Sequence, residues 1–90
     1  QTAIICQNDI IAHHMIRLLE QRGYDVPRDI AVASFDNSYY ANSGHTRITS
    51  LGHQERAVSN ALAQSVSAAV ARHAAPKVHL PWTLHVRTSG

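Results

Sequence analysis

The chain has 90 residues, of which 44% are apolar and 16% charged, and its formal net charge is +2. This length is one domain or less. Its eight Lys and Arg residues are scattered, which does not favour a nucleic-acid-binding surface. No apolar run approaches the ~20 residues that span a bilayer. The single cysteine excludes an internal disulfide and favours a reducing, cytoplasmic setting. Because there is no initiator Met and an apolar run begins almost at once, we expect a piece of a longer protein.

The first half of the chain predicts a β-α-β unit. Ala3–Cys6 is a short apolar run typical of a buried strand, and an amphipathic helix follows it and ends at Gly23. The predicted apolar face of this helix comprises Ile10, Ile11, His14, Met15, Leu18 and Leu19. A loop leads to a second β-branched run, Ile30–Phe35, and a turn-rich stretch with a short helical turn at 38–42 comes next. Two buried strands joined by a helix predict parallel pairing and a right-handed crossover.

The second half predicts one more strand, a long helix and a closing strand. Ile48–Leu51 is a third extended piece, and residues 54–73 have the periodicity of a helix. Pro76 interrupts the regular structure after this helix. Alternating apolar residues over Val78–Val86 then predict a half-buried strand or a pair of strands.

Polar residues follow both strands of the predicted β-α-β unit. Asn8 and Asp9 come after the first strand, and Asp36 and Asn37 come after the second. Ligands of open parallel sheets bind outside the carboxyl ends of the strands, which lie about 5 Å apart when neighbours. Asn8 and Asp36 would then face one crevice, where an amide and a carboxylate suit a ligand rich in hydroxyl or N–H groups. The alternative is that Asn8 and Asp9 only cap the helix and Asp36 only begins a turn.

The sequence offers no pattern of catalytic or metal-binding residues. His13 and His14 are adjacent, and neighbouring helix residues point about 100° apart, so the pair cannot chelate one ion. No H-E-x-x-H, Cys-x-x-Cys, G-x-S-x-G or glycine-rich phosphate loop is present. Cys6 lies in an apolar strand and is interpreted as a core residue. We therefore predict ligand recognition, with no catalysis, metal or cofactor.

Five stretches combine into a recognisable pattern. They are an apolar strand ending in N-D, a helix closing on R-G followed by V-P-x-D-I and a strand ending in F-D, an I-T-S segment, V-x-L-P, and a closing L-x-V-R-T-S-G. These stretches are Thr2–Asp9, Ile16–Asn37, Ile48–Ser50, Val78–Pro81 and Leu84–Gly90. In this combination the sequence resembles the LacI/GalR transcriptional regulators over essentially its whole length.

The resemblance implies an α/β fold, a fragment of a periplasmic-binding-protein-like (type I) domain in which a parallel sheet is flanked by helices. Residues 1–50 and 77–90 would belong to the carboxyl-terminal lobe, and the 53–73 helix to the amino-terminal lobe. The whole protein would be a cytoplasmic repressor with no membrane contact. It would be a homodimer, would respond to a sugar or nucleoside-like effector, and would bind operator DNA through an amino-terminal helix-turn-helix that this chain lacks.

The resemblance also implies roles for particular residues. Asn8 and Asp36 match effector-contacting positions, and His53 stands where many relatives have a Gln that reaches the ligand from the hinge. Leu51–Gly52 replaces the usual V-R/K. Candidates for the dimer interface, on the helix face that forms part of this contact in relatives, are Ile10, His13 and Arg17.

The predicted long helix carries an apolar stripe, which comprises Val58, Leu62, Val66 and Val70. Leaving each large aliphatic side chain exposed costs about 1.5–3 kcal/mol. We expect another copy of the chain, swapped packing or an absent segment to cover the stripe.

Two other classes remain as alternatives. A periplasmic solute-binding protein of a sugar transporter shares the implied fold, and a signal peptide in place of a helix-turn-helix would identify it. An enzyme of flavodoxin-like fold is disfavoured because no catalytic constellation appears.

Overall fold

The structure is a computed structural model that describes residues 2–74 and 77–90. The interruption of regular structure predicted at Pro76 lies outside the described residues. In chain order the elements are β1 (Thr2–Ile5), α1 (Asp9–Gln21), β2 (Ile30–Phe35), a short 3-10 turn (Tyr39–Ala41), β3 (Thr49–Gly52), α2 (Glu55–Val70) and β4 (Thr83–His85). Neither helix of the described ranges has both the length and the apolar character that crossing a membrane requires.

The sheet has four strands in the order β1-β2-β3-β4. β1 and β3 both pair with β2 in parallel, with Ala33 opposite Ile5 on one side and Thr49 on the other. The predicted β-α-β unit is confirmed, and its two strands are direct neighbours. β2 is an inner strand with a parallel neighbour on each side, which explains its apolar sequence and the complete burial of Val32.

Local sequence signals set both ends of α1, as predicted. At the start, the Asn8 side chain accepts a hydrogen bond of 2.9 Å from the backbone N–H of Ile11. At the end, Gly23 takes the left-handed conformation, with φ 86°. The N–H of Gly23 donates to Glu20 O and that of Tyr24 to Leu19 O, both at 3.0 Å, so the helix closes in a Schellman motif.

The buried face of α1 differs from the predicted apolar face. Asp9, Ala12 and Ile16 are buried, with Met15 and Leu19 packed at the edge of the core. The predicted members Ile10, Ile11, His14 and Leu18 are exposed. The reason is that hydrogen bonds hold the buried Asp9 side chain against the sheet. Ala12 and Ile16, three and seven positions later, lie on the same face of the helix as Asp9.

The core of the first part of the chain is small and lies between α1 and the sheet. It comprises Cys6, Ala12, Ile16, Val32, Ala41 and Ile48. Cys6 is a core residue, as predicted, and burial raises the pKa of its thiol. A thiol with a raised pKa carries less of the reactive thiolate.

Ser89 fills a gap between β2 and β3. Pairing of these strands begins at Ala33 and Thr49, and just before that point Ser89 takes the place of a strand partner. Its hydroxyl donates to Val32 O at 2.6 Å and accepts from the N–H of Thr49 at 2.8 Å. Its N–H donates to Arg47 O, and its carbonyl accepts from the N–H of Val32. The closing segment is therefore integrated into the sheet.

The chain divides into two units. The first runs to Gly52 and includes Leu84–Gly90, and the second is His53–Thr83. The predicted division, with residues 1–50 and 77–90 in one lobe and the 53–73 helix in the other, concerns a larger domain and stays a prediction.

The strand predicted over Val78–Val86 is shorter than expected. Only Thr83–His85 forms a strand, and residues 77–82 have no regular structure. The prediction was wrong there because Pro81 has no N–H to donate to a neighbouring strand.

No side chain of α2 is buried. In this single chain Leu62, Val66 and Val70 remain 60–80% exposed. The expectation that another copy or segment covers them stays a prediction.

Candidate functional site

The ends of β1 and β2 bring two predicted site residues to the same edge of the sheet. Ile5 of β1 pairs with Ala33 of β2. Asn8 lies three residues after Ile5, and Asp36 lies three residues after Ala33. Because the strands are parallel and adjacent, these are matching positions beyond their carboxyl ends. This edge is where ligands of such sheets bind.

Asn8 caps α1 and keeps a second functional group. Its Oδ1 is the acceptor for the N–H of Ile11, so the capping alternative holds for this oxygen. The amide nitrogen remains as the group through which Asn8 can donate to a ligand.

Asp9 has a role that sequence reasoning missed. It does not cap the helix but is its first residue, with its side chain buried among three serines. Oδ1 accepts from the hydroxyls of Ser34 (2.5 Å) and Ser50 (2.7 Å). Oδ2 accepts from the backbone N–H (2.5 Å) and the hydroxyl (2.7 Å) of Ser38. We call Asp9, Ser34, Ser38 and Ser50 the serine cluster.

The hydrogen bonds decide the charge state of Asp9. Burial alone would raise the pKa of this carboxyl, but the donors from Ser34, Ser38 and Ser50 outweigh it and hold the pKa below its ordinary value. Asp9 is therefore an ionised anchor at neutral pH. A signal was present in the sequence: Ser34 interrupts an otherwise apolar central strand, and such a buried hydroxyl needs a partner.

The serine cluster supports the turn that carries Asp36. Asp36 and Asn37 both take left-handed conformations, with φ 105° and 50°, which few non-glycine residues adopt. The Asp36 N–H donates to Leu51 O at 2.9 Å, and the Asn37 N–H donates to the Ser50 hydroxyl at 2.8 Å. The next residue, Ser38, donates its N–H to Asp9. Backbone hydrogen bonds therefore fix three successive residues, Asp36, Asn37 and Ser38.

Arg87 holds the same turn from the other side. Its guanidinium donates to Asn37 Oδ1 at 2.5 Å and to Ile48 O at 2.8 Å. Its backbone N–H donates to the Thr49 hydroxyl at 2.9 Å. The Asp36 side chain is exposed at the tip of this braced turn, where its carboxylate is accessible to a ligand.

Gly52 allows the turn to lie against β3. A Cβ atom there would be 2.6 Å from the carbonyl oxygen of Asp36 and 2.8 Å from the Cβ of Asn37. Both distances are too short for any side chain. The sequence showed Gly52 as a departure from the family pattern, and this contact gives its physical reason.

His53 belongs to the second unit, whereas Asn8 and Asp36 belong to the first. Its Nδ1 lies 3.0 Å from the carbonyl oxygen of Pro81. Its ring stacks on the indole of Trp82, with centroids 4.2 Å apart and the planes 33° from parallel. His53 is thus held by two neighbours that the sequence did not indicate.

The three predicted dimer-interface residues lie on α1. Ile10 and Arg17 are exposed, and His13 is half-buried beside Gly44. His13 and Arg17 line a surface cavity of about 350 Å³ together with Ile16, Glu20, His45 and Thr46. The interface itself stays a prediction. Within the described ranges, no three His, Cys, Asp or Glu side chains come together as a metal site.

The sequence matches a known domain family along its length. Residues 1–90 match the family described as periplasmic binding protein-like domain. Over 52 residues, 58% of this chain, it is 33% identical to the arabinose metabolism transcriptional repressor of Geobacillus stearothermophilus. The aligned stretch is 14% of that repressor's length.

Two solved structures have the same fold. The complex of the transcriptional regulator CelR with cellobiose superposes with a TM-score of 0.80 at 27% identity, covering 98% of this chain and 28% of that one. A LacI family regulator from Lactobacillus casei with bound sucrose superposes with a TM-score of 0.83 at 23% identity. That match covers 98% of this chain and 33% of the other. The chain therefore spans about a third of these proteins' length.

Proposed function

Because this chain belongs to the family of periplasmic binding protein-like domains, as part of a LacI/GalR effector domain, we propose that it is the effector-sensing part of a transcriptional repressor. The proposed effector is a sugar or a nucleoside-like molecule. The observation that supports this most is the braced turn that presents the Asp36 carboxylate at the ligand-binding edge of a parallel sheet.

The proposed contacts follow from the chemistry of the side chains. Asp36 accepts hydrogen bonds from effector hydroxyl or N–H groups, and Asn8 donates from its amide nitrogen. The family resemblance implies a third effector contact, from His53. A charged acceptor in a rigid turn gives stronger and more directional bonds than a mobile neutral one.

The proposed mechanism is a shift between two arrangements of the whole effector domain. A ligand changes such an equilibrium only when it binds one arrangement better than the other. The DNA-binding part would be an amino-terminal helix-turn-helix outside this chain, and the regulator would act as a cytoplasmic homodimer with Ile10, His13 and Arg17 at its interface. In this role the chain carries out recognition and no catalysis.

The test is Asp36→Ala in the full-length protein that contains this chain. Calorimetric titrations with cellobiose, sucrose, glucose and adenosine identify an effector, and a mobility-shift assay measures operator binding. We expect the variant to lose at least tenfold in effector affinity, since a hydrogen bond to a charged group contributes about 1.5–3 kcal/mol. Operator binding without effector should stay the same.

Asp25→Ala is the matched control. Asp25 is also an exposed aspartate, but it precedes β2 and so lies at the opposite end of that strand. Equal effector affinity in the wild type and the Asp36 variant would contradict the proposed role of Asp36. An intact protein that binds a sugar but no operator would support the solute-binding alternative.

A further inference from the structure

His53 and Trp82 form a stacked pair within the second unit. The ring centroids are 4.2 Å apart with an angle of 33° between the planes, so the two rings are in close, tilted face-to-face contact. The indole remains 59% exposed, so it supports one face of the imidazole and still presents surface to solvent.

The hydrogen bond to Pro81 fixes the position of a proton on the imidazole. A carbonyl oxygen only accepts, so the nitrogen 3.0 Å from Pro81 O must be the donor, and Nδ1 carries the hydrogen. In the neutral ring Nε2 is then a hydrogen-bond acceptor. The stack and the hydrogen bond together determine both the orientation and the tautomer.

This arrangement gives His53 a different preference from a glutamine. A Gln side chain ends in both an acceptor and a donor, and its amide can turn to suit either kind of ligand group. A neutral histidine held as described offers an acceptor alone at Nε2. It favours a ligand group that donates, such as a sugar hydroxyl, over one that only accepts.

We propose that Trp82 is a positioning residue for effector recognition, which holds the His53 ring so that Nε2 accepts a hydrogen bond from an effector O–H or N–H group. The inference rests on the proposed function, because it takes His53 as an effector contact. It adds the residue that orients His53 and the kind of ligand group that His53 selects.

The first experiment needs no effector. The full-length protein is labelled with ¹⁵N in its histidine rings, and the His53 signals are assigned by their loss in His53→Ala. We expect wild-type shifts of a protonated Nδ1 and an unprotonated Nε2 at a pH where the ring is neutral. Trp82→Ala should move both shifts towards a mixture of tautomers, and Trp82→Phe, which keeps an aromatic face, should restore most of the wild-type values.

The second experiment is a double-mutant cycle on effector binding. Affinities for sucrose, cellobiose and glucose are measured for the wild type, Trp82→Ala, His53→Ala and the double variant. Each single variant should lose about three- to tenfold, the effect of one neutral hydrogen bond. The double variant should lose no more than His53→Ala alone, because Trp82 acts through His53.

Two results would overturn the proposal. One is an unchanged His53 ring spectrum in Trp82→Ala. The other is an equal loss of affinity from Trp82→Ala whether or not His53 is present, which would make Trp82 an independent contact. If instead the ring spectrum changes as expected but the wild type binds none of the sugars, the sugar-sensing function fails while the orientation of His53 by Trp82 stands.

Discussion

The carbonyl oxygen of Asp36 lies so close to Gly52 that it leaves no room for a side chain there. A Cβ atom added to Gly52 would be 2.6 Å from this oxygen. The atoms on the Asp36 side are backbone, so they cannot rotate away as a flexible side chain would. The turn that presents Asp36 therefore depends on the absence of one methyl group on the neighbouring strand.

Gly52→Ala should displace this turn. We expect a loss of about 1–3 kcal/mol in unfolding free energy from the forced contact. We also expect at least tenfold weaker effector binding, because the Asp36 carboxylate moves with its backbone. Thermal unfolding and calorimetry with the effector measure the two effects.

Gly23→Ala is the control for Gly52→Ala. Gly23 has open space around its Cβ position but a φ of 86°, so alanine there costs about 1–2 kcal/mol through backbone strain alone. It should lower stability and leave effector affinity unchanged. If Gly52→Ala also leaves affinity unchanged, the link from Gly52 to the binding turn is wrong.

Asp9→Ala should be strongly destabilising. It removes the acceptor for two buried hydroxyls, those of Ser34 and Ser50, and for the N–H and hydroxyl of Ser38. Unpaired buried donors cost about 1–3 kcal/mol each, so we expect a total loss on the order of 3–5 kcal/mol by chemical denaturation. Asp29→Ala, which removes one exposed hydrogen bond to the N–H of Asp25, should cost less than about 1 kcal/mol.

The serine cluster also predicts a dependence of stability on pH. The pKa of Asp9 is lower in the folded protein than its ordinary value of 3.8, so the folded state holds the ionised form more strongly. This stabilisation is complete above the unfolded value and is lost as the pH falls through the folded value. The stability difference between the wild type and Asp9→Asn should be constant from about pH 5 to 7 and should narrow below about pH 4. A constant difference down to pH 2 would show that Asp9 is not anchored as an anion.

His85→Val should stabilise the protein. Among the described residues, Nε2 of His85 is buried without a hydrogen-bond partner. Replacing it with a β-branched apolar side chain removes that penalty in strand β4, and we expect a gain of about 1–2 kcal/mol. His79→Val, at an exposed position, should change stability by less than about 0.5 kcal/mol. Lower thermal stability in His85→Val would mean that Nε2 finds a partner in solution.

Local patterns predicted β2 and both ends of α1 because local interactions decide them. β2 was predicted at its observed bounds, Ile30–Phe35, since this apolar run lies between two neighbouring strands. The start and end of α1 followed from Asn8 and Gly23, each of which acts within one turn of the helix. The edge of the sheet that carries Asn8 and Asp36 followed from the parallel pairing alone.

The features that local patterns missed depend on residues far apart in the chain. The face on which α1 packs is set in part by the hydrogen bond that the hydroxyl of Ser50, 41 positions later, donates to Asp9. The environment of His53 is set by Pro81, 28 positions later. The close contact of Gly52 with Asp36 likewise requires two strands to be paired, so the residue change was visible in the sequence but its reason was not.

The placement of Ser89 has a consequence for how the protein is made. Val32 is synthesised early, yet its carbonyl finds its partner 57 positions later, after β3 and α2 have been made. Until Ser89 leaves the ribosome, the N–H and C=O of Val32 and the N–H of Thr49 lack these partners. The nascent chain can pair β1 with β2 and, from Ala33 and Thr49 onward, β2 with β3 as these strands emerge. The hydrogen bonds of Val32 on the side facing β3 form only when Ser89 arrives, so folding of this unit is completed only after Ser89 has been synthesised.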